Sequence, residues 1–320
     1  MTSPNIDTVR KLSNRYSNWG RWGDDDEIGT LNHVQPEHVT RAGGLIRAGK
    51  RISLGLPFDQ EGPQTGGFGR FNPIHSMIRD GADVIAGTTI RDFYGGNDRY
   101  LRGTDDMITM PLQCGTQWDS LAHIIFEERM YNGYSADLVS SKGAHKNHVG
   151  KMADVVAGRG VLLDVARYKG VDALKPGYTI TTEDLENTAA ANGVEVGTGD
   201  FVMVRTGMMG ERRGNWGDYA GGSAPGLGLE AVPFVAEREV AAVATDTWGM
   251  EVLPNETADV FQPLHIILIV HVGLLVGEIF DFEALAADCA EDGIYEFFFC
   301  APPLPITRAV GSPINPMAIK

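Results

Sequence analysis

Cysteine is scarce in this chain: Cys114, Cys289 and Cys300 are the only three in 320 residues. None stands in C-x-x-C spacing, and three are too few to frame a disulfide scaffold, so a reducing cytoplasmic setting is expected. Basic clusters are lacking too, and the net charge is −15. That balance argues against nucleic acid or an anionic membrane surface as a partner and favours a small-molecule substrate. The longest apolar run, Pro263 to Gly277, is shorter than the ~20 residues a bilayer requires and carries His265 and His271. No signal-peptide pattern opens the chain. No G-x-S-x-G occurs, which removes support for a serine hydrolase of the nucleophile-elbow type, and no internal repeat is visible. What is present in quantity is apolar sequence, 43% of the chain, enough for a substantial core and best accommodated in one large domain.

The most informative stretch is Gln113-Cys114-Gly115-Thr116-Gln117-Trp118-Asp119-Ser120-Leu121-Ala122-His123. Read as extended chain, Gln113, Gln117, Asp119 and His123 share one face. A straight strand would separate Gln113 from His123 by roughly 33 Å, so the segment must bend to unite them. Gly115 and the link after Ser120 are where a bend is expected. On its own, a D-x-x-x-H spacing is more often an ordinary strand whose side chains satisfy local hydrogen bonds.

The order of residues adds to that reading. The stretch resembles the motif His-x-Gly-Thr-His-x-Asp-x-Pro-x-His of the cyclase family of metal-dependent hydrolases, which includes bacterial kynurenine formamidase and isatin hydrolase. Gly115, Thr116, Asp119 and His123 match in register; Gln113 and Gln117 stand in place of histidines, and Leu121 in place of proline. An amide oxygen is a harder, neutral and weaker donor than imidazole, so manganese should compete better than usual with zinc. The resemblance continues at Leu264 to Glu278, a short helix ending near Gly273 followed by a strand. There His265 and Glu278 match a metal-binding His and Glu of the family. On that helix His265 and His271 stand about 240° apart and cannot face one site together. The tail from Phe297 to Lys320 also looks like that family's C-terminus.

Along the rest of the chain, residues 14–33 read as an ordered loop in which Trp19 and Trp22 either wall a pocket or pack as an arm on the body or on another subunit. Helices are expected over Pro36 to Lys50, from Thr181 to before Gly193, and for about ten residues from Leu229. Strands are expected at Arg51–Leu56, Asp83–Ile90, Met107–Leu112, Val161–Val165, Phe201–Arg205 and Val240–Ala244, and residues 57–81 as a long loop that covers a site. His145 and His148 read as solvated loop histidines, and Cys114 as a small buried residue. Gly226-Leu227-Gly228-Leu229-Glu230-Ala231, with Asp246 twenty residues on, matches a dinucleotide fingerprint but lacks the strand that must run into its first glycine.

The resemblance implies a single α/β domain of the swivelling β/β/α type, a mixed sheet with helices packed outside it, assembled as homo-oligomers. Residues 1–50 are expected to form an N-terminal arm and helix packed on the body, and 51–320 the hydrolase domain. The implied function is metal-dependent hydrolysis of a small cyclic amide, lactone or aryl formamide. Gln117, Asp119, His265 and Glu278 would hold one manganese or zinc ion or a pair, with Gln113 a marginal ligand. His123 would move protons, and Trp22, Trp118 and Trp248 would offer flat walls to a ring. The rival expectation is a non-catalytic small-molecule-binding protein that has lost its metal.

Overall fold

A computed structural model describes residues 3–88 and 101–320. In chain order the principal strands are β1 (Arg51–Ser53), β2 (Ile74–Arg79), β3 (Asp105–Thr109), β4 (Gln117–Asp119), β5 (Ala157–Asp164) and β6 (Phe201–Arg205), then β7 (Ala242–Thr245), β8 (Leu275–Glu278), β9 (Glu296–Cys300), β10 (Gly311–Pro313) and β11 (Met317–Ile319). All but β2 and β3 join one sheet in the order β1-β11-β9-β5-β6-β7-β8-β4-β10. The four middle strands, β5 to β8, are parallel, and Val161, Val202, Val243 and Val276 pair in line across them. Antiparallel strands extend the sheet on both sides.

The parallel strands are buried along their length because the crossovers between them are helical and cover the sheet. Thr182–Ala191 lies between β5 and β6, Val232–Glu237 between β6 and β7, and a helix from Pro263 to Val272, whose last seven residues are wound as a π-helix, between β7 and β8. The first begins where its sequence directs. Thr181 Oγ1 accepts the Asp184 N–H and the Asp184 carboxylate accepts the Thr181 N–H, a reciprocal cap. The last ends at Gly273, whose φ of 75° suits glycine.

Several expectations are corrected. The described part of the expected Asp83–Ile90 strand, up to Thr88, is not a strand: Gly81–Ala86 is a helix capped by Asp80, which accepts the Ala82 and Asp83 N–H groups, while residues 89–90 lie outside the described residues. β3 does not lead into the central stretch; it pairs with β2, from within the expected loop, as a separate antiparallel hairpin. The helix from Pro36 stops at Gly43. Ahead of the 17–33 loop, Ile6–Tyr16 forms a helix capped by Asn5, and the loop docks on the π-helix through Asn18 Nδ2 and Trp19 Nε1, which donate to the Val272 and Val270 carbonyls. Among the described residues no helix is long and apolar enough to cross a membrane.

Candidate metal centre

The register of β4 against β8 builds the site. Gln117 lies directly opposite Glu278, with Asp119 opposite Val276. Alternation therefore puts the side chains of Gln117, Asp119 and Glu278 on one face and Trp118 on the other. β4 is only three residues long. The chain turns through 113–116 before it and through 121–122 after it, and the second turn, closed by the His123 N–H donating to the Ser120 carbonyl, brings His123 Nε2 to 3.8 Å from Asp119 Oδ1. Thr116 anchors the start: its hydroxyl donates to the Ile279 carbonyl at 2.6 Å and accepts the Leu56 N–H. Ile279, directly after Glu278, has a φ of 59°, an uncommon conformation for a β-branched residue. It is clamped by Thr116 and by its own N–H to the Thr247 carbonyl.

His265 reaches the same spot from the start of its helix. Its Nε2 is 3.1 Å from Glu278 Oε1, and its Nδ1 is 2.6 Å from Glu251 Oε1. Glu251 also accepts the Leu264 and His265 N–H groups and the Asn255 amide, so both oxygens are engaged in holding the helix start. Asn255 in turn accepts the N–H of Gln262, which precedes Pro263 with a φ of 52°. Glu278 Oε1 accepts the Met250 N–H, and Gln117 Nε2 donates to both Glu278 Oε2 at 3.2 Å and Asp119 Oδ1 at 3.3 Å. Gln117, Asp119, Glu251, His265 and Glu278 are all buried.

Electrostatically the cluster is under tension. Burial pushes the Asp119 carboxyl up, and Glu278 adds to this against the opposing pull of His123. Burial alone would lower His265, but hydrogen bonds and charge from Glu251 and Glu278 outweigh it and hold its pKa up at about 10. Asp119 Oδ2 and Gln117 Oε1 are buried acceptors with no partner. One donor atom from each of Asp119, His265 and Glu278 lies within 4.8 Å of the others, and this is the only such His/Cys/Asp/Glu group among the described residues. The donor set, two carboxylates and an imidazole with an orphaned carboxylate oxygen, fits a divalent cation.

The site opens into a cavity of about 480 Å³, also lined by Gln113, Phe68, Arg70, Trp248 and Phe261. Trp248 lines this cavity, as do residues 68–70 of the 57–81 segment. Trp118 is not a wall: its ring is fully buried beneath the sheet against Phe280 and Phe299, with Nε1 donating to the Ala301 carbonyl. Gly277 is required there, since a Cβ would come within 2.5 Å of that ring. Trp22 is not in the cavity either; it packs edge-on to His33. His271 stacks on Trp19, 5.1 Å between ring centres, and burial pushes the Cys114 thiol up to about 11, which disfavours it as a nucleophile. Gly226-Leu227 pairs with Thr179-Ile180, and Asp246 accepts the Thr206 and Gly207 N–H groups, a structural use unrelated to a ribose.

Glu251 and Arg70 were not legible as site residues in sequence. The available signal for Glu251 was a single carboxylate in an apolar stretch just past a parallel strand, where open α/β sheets place their ligands. Arg70 offered none, sitting in a glycine-rich segment.

A mixed α/β domain carrying a buried Asp-His-Glu cluster at the junction of its parallel and antiparallel strands defines a class that the comparisons identify. The sequence matches the cyclase family over residues 52–252, and the chain belongs to that family. It is similar to the crystal structure of a novel cyclase, at 38% identity, a TM-score of 0.86, and 96% of this chain and 99% of that one covered. Isatin hydrolase A from Labrenzia aggregata shares the fold at 18% identity and a TM-score of 0.59, with 87% and 96% covered. A predicted metal-dependent hydrolase from Bacillus stearothermophilus does so at 16% and 0.53, with 85% and 98% covered. No curated protein matches the sequence significantly.

Proposed function

We propose that the protein is a metal-dependent hydrolase of a small cyclic amide or lactone, with Asp119, His265 and Glu278 holding one divalent ion, manganese or zinc. The observation that carries this reading is the convergence of three buried donor atoms within 4.8 Å, beside an unpartnered Asp119 oxygen, on a fold shared with hydrolases of this family. A divalent ion supplies polarisation of the scissile carbonyl and a more acidic water. The chain's own residues do the rest. Glu251 orients His265 and fixes which ring nitrogen faces the site. Gln117, whose amide nitrogen meets both ligand carboxylates, spaces them as a donor rather than serving as a ligand itself. Gln113, which lines the same cavity, is a marginal ligand at the edge of the set. His123, 18% exposed and beside Asp119, accepts a proton from the attacking water and returns it to the leaving group.

Trp248 and Phe68, stacked with centroids 5.9 Å apart, together with Phe261 favour a substrate with an unsaturated or aromatic ring. Homo-oligomers are supported by the exposed apolar residues of the β2–β3 hairpin, among them Ile74, Met77, Ile78, Met107 and Ile108. The alternative is a non-catalytic small-molecule-binding protein without the metal. Turnover of dienelactones, isatin, N-formylkynurenine and linear amides, before and after chelation and metal add-back, separates the readings. Activity lost on chelation and restored by manganese or zinc is expected; full activity in metal-free protein, or turnover confined to linear aliphatic amides, refutes the proposal.

A further inference from the structure

We infer that Arg70 makes the pocket an anion-selective one, so that its substrate carries a carboxylate on the side remote from the bond that is cleaved. The identity of the remote side rests on the hydrolase reading; the anion site does not. Arg70 is half-buried and lines the same cavity as Asp119, His265 and Glu278. Among the described residues no carboxylate forms an ion pair with it. Its guanidinium packs on Trp248, whose ring centre lies 5.3 Å from the guanidinium carbon. An arginine left without an ion pair is unremarkable at an open surface, but here it stands inside an aromatic-walled cavity.

Its support is itself built. Trp248 is 5% exposed, its Nε1 donates to Gln64 Oε1 at 3.3 Å, and Gln64 Nε2 donates on to the Cys114 carbonyl at 2.9 Å. The indole that steadies Arg70 is thereby tied to the turn that leads into Gln117 and Asp119. A guanidinium packed against an aromatic ring keeps its planar fork of N–H donors pre-organised, the geometry that matches a carboxylate through two parallel hydrogen bonds. Phe68 and Phe261, their rings 6.3 Å apart, add an apolar mouth. A cationic fork, flat apolar walls and about 480 Å³ of space together suit an aromatic or unsaturated acid of one or two rings.

Benzoate and its neutral analogue benzamide are the probes, with binding followed by calorimetry both on the protein as purified and after chelation, so that ligation of benzoate to a bound ion is separated from capture by Arg70. Benzoate should bind more tightly than benzamide in both preparations. Arg70→Gln should weaken benzoate about 10- to 100-fold while leaving benzamide within about twofold. Arg70→Lys should restore the affinity only in part, because an ammonium lacks the fork, and it serves as a second variant if the Gln protein folds poorly. Benzoate binding that is indifferent to Arg70→Gln in both preparations, or no tighter than benzamide binding, overturns the inference. Failure of the hydrolase reading would appear differently, as absence of metal-dependent turnover with the benzoate difference intact.

Discussion

Removing the ion should leave a protein whose stability falls as pH rises, and His265 sets the size of the effect. Without metal, its imidazole lies between Glu251 at 2.6 Å and Glu278 at 3.1 Å and is held protonated, with a pKa raised from 6.5 to about 10. The folded state therefore binds a proton that the unfolded chain releases near pH 6.5. The stabilisation is fully present below about 6.5 and is lost as pH rises through about 10. At about 1.4 kcal/mol per pH unit, the gap corresponds to an upper bound of roughly 5 kcal/mol. Asp119, whose carboxyl is also raised by burial, acts in the same direction. A divalent ion reverses the trend, because binding to Nε2 displaces the proton facing Glu278, so metal should stabilise more strongly at high pH than at low. Urea denaturation from pH 6 to 10, in chelator and in manganese, measures both slopes, with His265→Gln as the control that should flatten the chelated one. Chelated wild-type protein whose stability matches the His265→Gln slope across this range would refute the electrostatic account of the cluster.

Glu251→Gln retains the shape but removes the charge behind His265, so metal affinity should fall about 10- to 100-fold in a competition titration. Glu251→Ala should in addition destabilise by about 3–5 kcal/mol, because it strands a buried imidazolium and two helix N–H groups. His123→Ala should lower kcat by about 10²- to 10⁴-fold while the ion stays bound, as metal content and kinetics measured on one preparation will show. Trp118→Ala should cost about 3–5 kcal/mol of stability in denaturant melts, without the selective rise in KM expected of Trp248→Ala.

Much of the fold was legible because local and tertiary forces agree. Phe201–Arg205 is an apolar, β-branched strand that ended up buried on both faces, and the Thr181–Asp184 cap starts its helix as read. In the Gln113–His123 stretch the two anticipated bends are present, and they convert a strand face into a cluster. What remained illegible depended on pairing between distant segments. The identity of the residue opposite Gln117 was not contained in either strand alone. Proximity in sequence suggests the pocket for Trp118, although alternation from Gln117 and Asp119 turns it to the opposite face. Asp83–Ile90 was read by its apolar content, and the Asp80 cap prevailed over β propensity. Glu251 acts through contacts 13 and 14 residues away along the chain, which no local pattern displays.

On the proposed function, catalysis depends on a divalent ion held by Asp119, His265 and Glu278. Elemental analysis of protein purified without chelator, run beside Asp119→Ala, Glu278→Ala and His123→Ala, tests it most directly. About one manganese or zinc per wild-type chain is expected, as one three-donor cluster allows, with the ion lost from the Asp119 and Glu278 variants and retained by the His123 variant. A wild-type protein free of metal yet fully active as a hydrolase, or an Asp119→Ala protein that keeps its ion, would contradict it.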